Sequence, residues 1–229
     1  MKQHSIAIDG PSGSGKSTLA KMLATRLGFV YLDTGAIYRA VALFVSQKGK
    51  NPESEAETTA LISEMGEISF AHIGQEQKIF FGGRDVSKDI RMPAISRLAS
   101  FVAAYPAVRE FLLEKQREFA RTCNVVMDGR DIGTVVLPDA SLKVFLTATP
   151  ECRAERRHSE LISRGVEASF EQVLSDIIER DGRDMSRAVS PLKQAHDAVV
   201  LDSTDLDLGQ TLEALIRLAQ EKLGIVGEV

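Results

Sequence analysis

Eight consecutive residues near the N-terminus, Gly10-Pro11-Ser12-Gly13-Ser14-Gly15-Lys16-Ser17, follow the pattern G-x-x-x-x-G-K-[ST]. Glycines at these positions let successive backbone N–H groups turn inward into an anion-binding nest, and a helix starting behind them adds positive potential. The Lys16 ammonium can then reach the outer phosphates of a nucleoside triphosphate, and the Ser17 hydroxyl can ligate Mg2+. The bland alternative is a glycine-rich turn that opens a helix. Placement between an apolar run at Ser5–Asp9 and a helical pattern from Lys16 favours the phosphate site.

A triphosphate site does not name a second substrate; the arginines speak to that. The chain holds 17 Arg against 11 Lys, and Arg is the side chain of planar, bidentate phosphate and carboxylate recognition. Asp33-Thr34-Gly35-Ala36-Ile37-Tyr38-Arg39 follows a second apolar run, and Asp128-Gly129-Arg130-Asp131 ends a third. In open α/β sheets that edge is where ligands bind. Arg153, Arg156 and Arg157 share one helix face at i, i+3, i+4, on a helix leading into Ser163-Arg164-Gly165. Arg180, Asp184 and Arg187 fall on one side if helical geometry continues through Gly182. Each Arg alone reads as an ordinary surface residue. Four groups beside a phosphate loop read as the cations needed to bring a triphosphate up to a second phosphate and hold the oxygens in line. Arginines on mobile segments would also let closure expel water.

The elements that must position these residues alternate. Ser5–Asp9 predicts a buried strand, Lys16–Leu27 a helix stopped by Gly28, Phe29–Leu32 a strand, and Ala36–Gln47 a helix stopped by Gly49. Another helix is expected beyond Pro52 to about Met65. Ile68–Ile73 and Lys78–Phe81, joined by Gly74-Gln75-Glu76-Gln77, read as an antiparallel hairpin. Residues 91–121 return to helix, broken at Pro106. Strands follow at Val125–Met127, Leu142–Thr147 and Ala198–Leu201. Helices are expected from Thr149-Pro150-Glu151, over Ser169–Asp181 with Gln172 completing a capping box, and over Leu208–Leu223. This rhythm predicts an α/β fold, a five-stranded parallel sheet flanked by helices, with the hairpin as part of an insertion between the second and third core strands.

Composition closes off other classes. The 229 residues are 44% hydrophobic, enough for a full core, and the net charge of −4 argues against a nucleic-acid partner. No apolar run approaches the ~20 residues of a membrane span, and no signal-peptide pattern opens the chain. Cys123 and Cys152, without CxxC or metal-ligand spacing, suit a reducing compartment. A cytoplasmic monomer is the expectation.

The segments GPSGSGKST, LDTGAIYRAVAL, AVRE, VVMDGRDIGTVVLPDA and ERDGRDMSRAVSPL, with the hairpin insertion, closely resemble the bacterial cytidylate kinase family from about Ile6 to Ser203. The resemblance implies a nucleoside monophosphate kinase fold. Residues 1–37 and 122–229 would form the P-loop core and 38–121 the monophosphate-binding region, with a small antiparallel insert near 66–90. A short helical lid would lie at about 151–167. The implied reaction is ATP plus CMP or dCMP to ADP plus CDP or dCDP, with Mg2+ held by Ser17 and the ATP phosphates.

Carried over by position, Gly10 through Thr18, including Ser14 and Lys16, would bind ATP together with Arg153 and Arg157 of the lid. Ser12, Thr34, Arg39, Ser100, Arg109, Arg130, Asp131, Arg180, Asp184 and Arg187 would bind CMP, with Arg39 and Arg130 toward its phosphate and Ser100, Arg109 and Asp131 reading the base. Lys16, Arg130, Arg157 and Arg187 would be the catalytic cations. The chemistry is compatible: cytosine N4 donates, which suits the Asp131 carboxylate, while Ser100 and Arg109 can donate to the ring acceptors. The alternative for Asp131 is an internal pair with an arginine. Two other readings of the chain stay open: a kinase of another small acceptor, such as shikimate or a different nucleotide, and a regulatory module that hydrolyses ATP without an acceptor.

Overall fold

The computed structural model describes residues 3–66, 68–73 and 76–224. The chain divides into two compact units, Met1–Val30 with Cys123–Val229, and Tyr31–Thr122.

The first unit is built on a five-stranded parallel sheet in the order β2-β6-β1-β7-β8, where β1 is Ser5–Asp9, β2 Val30–Asp33, β6 Val125–Gly129, β7 Leu142–Thr147 and β8 Val199–Asp202. Strand β2 begins in this unit, where the Val30 N–H donates to Asn124 O at 2.9 Å. Central strands of a parallel sheet are covered on both faces, which is why β1, β6 and β7 read as near-continuous apolar runs. Ile6, Ile8, Met127 and Leu146 are fully buried, and Leu23 of α1 (Lys16–Leu27) and Leu215 of α8 (Leu208–Leu223) close over them. Strand β1 has β6 on one side and β7 on the other, so the chain reverses its direction of travel across the sheet there. The crevice beyond the C-terminal ends of such strands is the expected ligand position.

Two helices follow the sheet edge. Helix α6 (Pro150–Ser163) starts with Pro at its first turn and Thr149 as cap, the Thr149 side chain accepting from Cys152 N–H. Helix α7 (Phe170–Ser186) is capped by Ser169, which accepts from Gln172 N–H. Gly182 does not interrupt α7. A helix-interior glycine costs only about 1 kcal/mol, and the buried Asp181 and Asp184 on either side hold this stretch in place. Helix α8 starts at Leu208 as predicted, behind a full capping box of Asp207 with Gln210.

The second unit packs helices around a three-stranded antiparallel sheet, β3 (Ile68–Ile73), β4 (Glu76–Phe81) and β5 (Arg84–Asp85). Residues 74 and 75 of the expected turn lie outside the described residues. Glu76 and Gln77 join the ladder opposite Ile73 and His72, so the turn is shorter than the four residues expected. Strand β5 is two residues long, too short to carry a periodic signal. Helix α2 (Thr34–Gln47) starts two residues earlier than predicted, because Asp33 caps it and accepts from Ala36 N–H. Helix α3 is Glu55–Ile62, and Pro93 and Pro106 open α4 (Pro93–Val102) and α5 (Pro106–Ala120) at first-turn positions. A 3₁₀ turn, Asp89–Arg91, precedes α4. Ile37, Val41, Ile79, Ile90 and Leu112 are among its buried side chains. Among the described residues no helix is long and apolar enough to cross a membrane.

Candidate active site

The loop after β1 is forced to be glycine at its first position. At Gly10 φ is +153°, and a Cβ there would lie 2.0 Å from Leu146 O on the neighbouring strand. Gly13 and Gly15 adopt left-handed φ, which turns the chain into the nest and then into α1. Inside the loop, Ser14 is fully buried and its hydroxyl donates to Pro11 O at 3.1 Å. Lys16 is nearly buried; its Nζ donates to Pro11 O at 2.5 Å and to Ser14 Oγ at 3.2 Å. Burial, and after it the positive charge of Arg130, holds the Lys16 pKa well below that of an ordinary lysine. Ser17 and Thr18 stand exposed on the first turn of α1.

Sheet register then brings in a residue the motif does not contain. Ile8 of β1 lies opposite Asp128 of β6, and from there the Asp128 carboxylate reaches the Ser17 hydroxyl, which donates to Oδ2 at 2.7 Å. A hydroxyl and a carboxylate side by side are hard oxygen donors that fit Mg2+, an ion usually held by one or two protein oxygens plus substrate phosphates. Asp128 had a findable signal: an acid that ends an apolar strand, Val125-Val126-Met127-Asp128, in a chain with a phosphate loop.

Beyond Asp128 the chain enters a π-helical turn, Ile132–Val136. Asp9, at the end of β1, anchors it by accepting from Ile132 N–H at 2.8 Å and Gly133 N–H at 2.7 Å. Burial pushes the Asp9 pKa up to about 6, against the lowering effect of those two hydrogen bonds.

The arginine groups of this unit separate by role. Arg130 Nε donates to Asp184 Oδ2 at 2.7 Å, and both are largely buried. Burial opposes both charges, but Arg130 overcomes it and holds the Asp184 pKa below the usual carboxylate range, with Arg180 adding to the effect. Arg187 Nη2 lies 3.6 Å from Asp131 Oδ1, and its Nε donates to Ser190 O. The internal pairing considered for Asp131 is therefore present. Arg180, Asp184 and Arg187 do share a neighbourhood, since α7 runs on to Ser186 and Arg187 is its cap.

On α6 the three arginines differ. Arg157 is partly exposed and donates to Glu160 at 2.7 Å. Arg156 donates to Ser203 O and Leu206 O, tying α6 to the segment after β8. Arg153 is 4% exposed and points into the protein, donating to Ala148 O, Ser12 O and Asp181. Spacing alone does not distinguish these three.

The second unit carries the remaining candidates. Arg39 pairs with Asp33 at 2.6 Å. Asp33 is itself held at both main-chain groups by the Gln77 side-chain amide of β4: its N–H donates to Gln77 Oε1 at 2.7 Å and its C=O accepts from Nε2 at 3.5 Å. Thr34 is buried at the start of α2. Ser100 is buried on α4 and donates to Arg97 O at 2.9 Å. Arg109 is 7% exposed, donates to Ala103 O at 3.0 Å, and stacks 5.5 Å over the Tyr38 ring. Gln77 and Tyr38 were not among the expected site residues; Tyr38 adjoins Arg39 in the Asp33–Arg39 segment, whereas nothing in its local sequence marks Gln77.

Comparison with known proteins identifies the family. The sequence model of the cytidylate kinase family matches residues 6–221. The cytidylate kinase of Thermosipho melanesiensis is 47% identical over 217 residues, covering 95% of this chain and 97% of that one. The cytidylate kinase of Exiguobacterium sibiricum is 47% identical over 223 residues, covering 97% and 100%. That of Aeromonas salmonicida is 44% identical over 219 residues, covering 96% and 95%. Among solved structures, an uncharacterized protein from Eubacterium ventriosum superposes with a TM-score of 0.52 at 15% identity, covering 94% of this chain and 97% of that one, a likeness of fold alone. The chain belongs to the cytidylate kinase family.

Proposed function

We propose that this member of the cytidylate kinase family transfers the γ-phosphoryl group of ATP directly to the phosphate of CMP or dCMP, giving ADP and CDP or dCDP. The observation that carries this reading is the phosphate loop with Lys16 buried inside it on Pro11 O and Ser14 Oγ, and with Arg130 and Arg180 near enough to lower its pKa. Arg130 and Arg187 face Asp184 and Asp131, an arrangement that holds oriented cations beside an anion nest.

The acceptor phosphate is already a nucleophile, so the protein needs to position and neutralise rather than to deprotonate. The loop N–H groups of residues 13–18 and Lys16 would take the donor phosphates. Ser17 and Asp128 would hold Mg2+, which supplies charge neutralisation on the β- and γ-oxygens. Arg130 and Arg187 would stabilise the charge that spreads over the transferred group, and Arg39 would bind the acceptor phosphate. Arg157, partly exposed midway along α6, would swing from Glu160 onto the donor phosphates. Asp184 and Asp131 keep the arginines charged and oriented. We assign residues 38–121 to the monophosphate and the segment at about 151–167 to the lid.

For the base, Asp131 would accept from cytosine N4, and Ser100 and Arg109 would donate to the ring acceptors. Uracil presents an acceptor at position 4, which a carboxylate repels. An ADP-release assay over a panel of acceptors tests this: CMP and dCMP should be turned over, with UMP far slower and shikimate inert. Equal kcat/KM for UMP and CMP would remove the base assignment, and acceptor-independent ATP hydrolysis would remove the kinase reading.

A further inference from the structure

Helices α6 and α7 take hold of the phosphate loop from behind. Arg153, one turn into α6, donates to Ser12 O at 2.8 Å, to Ala148 O at 2.9 Å and to the Asp181 carboxylate. Asp181, 6% exposed on α7, accepts the Ser12 N–H at 3.1 Å. Both main-chain polar groups of Ser12 are thus held by side chains, one from each helix. The contact is close in the next residue as well: a Cβ at Gly13 would lie 3.2 Å from Arg153 Cβ and 3.5 Å from Ile177 Cδ1.

A buried Arg–Asp pair is a poor device for stability alone, because an apolar pair of similar volume generally does as well or better. Its directional bonds, however, fix the orientation of whatever they grip. Here that is the Ser12 main chain in the middle of an anion nest, where the direction of each N–H decides whether it points at a phosphate.

We infer that Arg153 and Asp181 are positioning residues for the donor nucleotide. They clamp the Ser12 main chain so that the neighbouring loop N–H groups converge on the triphosphate, and they make the bases of α6 and α7 a fixed wall of the donor site. Arg153 therefore acts through the loop, not by touching phosphate as the family resemblance implies. The inference rests on the reading of this loop as the ATP site.

Steady-state KM values for ATP and CMP, and the Kd of a fluorescent ATP analogue without acceptor, would be measured on the full chain and on Asp181→Asn and Arg153→Lys. The double variant Arg153→Met/Asp181→Leu would be measured alongside, with urea unfolding of each protein. Asp181→Asn should weaken the ATP Kd and raise the ATP KM roughly tenfold, with a clearly smaller rise in the CMP KM because Ser12 is also expected to face the acceptor. Arg153→Lys, which keeps the charge but loses the guanidinium fork on Ser12 O, Ala148 O and Asp181, should show a smaller loss of the same kind. The double variant should regain the wild-type urea midpoint without regaining ATP affinity. If it regains both, or if the single variants leave the ATP Kd unchanged or move both KM values together, the pair is only a structural brace and the inference is wrong. A wild-type protein that failed to bind the analogue would sink the ATP-site reading itself.

Discussion

The Ser17 hydroxyl donates to Asp128 Oδ2 at 2.7 Å, joining the first turn of α1 to the end of β6 although 111 positions separate them in sequence. The pair assembles two oxygen donors at the mouth of the phosphate loop, and neither residue can do so alone.

Asp128→Asn should lower kcat on the order of 10²-fold and raise the Mg2+ concentration needed for half-maximal turnover, because the amide is a much weaker donor to a hard cation. A Mg2+ titration of turnover, with far-UV circular dichroism to confirm folding, checks this. An unchanged Mg2+ requirement would contradict the assignment.

Lys16→Ala should reduce kcat/KM well beyond tenfold with folding intact. Lys16 is enclosed by the loop it serves, on Pro11 O and Ser14 Oγ, so no neighbouring cation can take its place without rebuilding the loop. Activity within tenfold of wild type, with an unchanged urea midpoint, would refute its role.

Asp131→Asn should narrow the preference for CMP over UMP by roughly 10- to 100-fold, since the amide offers a donor to uracil O4 and removes the carboxylate that repels it. CMP turnover should also fall, because Arg187 loses the carboxylate that faces it. Competition between the two acceptors in one reaction gives the ratio directly.

Asp9 predicts an unusual pH dependence of stability. Its folded pKa of about 6 lies above the ordinary value of 3.8, so the folded state binds the proton more tightly than the unfolded chain. Stability from this group is greatest below pH 4 and falls as pH rises to about 6, by about 3 kcal/mol, then levels off. Urea midpoints of wild type and Asp9→Asn at pH 4.5, 5.5, 7 and 8 should differ along that slope. A pH-independent difference would mean that Asp9 does not titrate there.

The local signals were strong where the physics is local. Apolar runs of the right length specify β1 and β7 residue for residue, because a strand buried on both faces is mostly apolar, with a polar exception such as Lys143 held by an ion pair to Asp197. Glycine spacing specifies the loop, because only glycine tolerates the φ at Gly13 and Gly15 and the backbone approach at Gly10. Caps and first-turn prolines specify the starts of α5, α6 and α7. Where neighbours in space compete with local preference, the boundary moved: Asp33 captures the start of α2, and buried carboxylates carry α7 through Gly182.

Roles, by contrast, depended on partners far away in the chain. Arg153, Arg156 and Arg157 are nearly equivalent in sequence, yet one grips the phosphate loop, one ties down the segment after β8, and one remains half-exposed. Asp9, Asp128 and Asp181 are three acids among 32 until the parallel register and the packing of α7 set them against the π-helical turn, Ser17 and Ser12. Residue order alone carries the α/β rhythm, the phosphate loop and the family. Which charges pair with one another and which grip the loop is set by the packing. That difference is physical: steric and periodic preferences act between residues a few positions apart, whereas the partner of a buried charge is chosen by whatever the fold brings within about 3 Å.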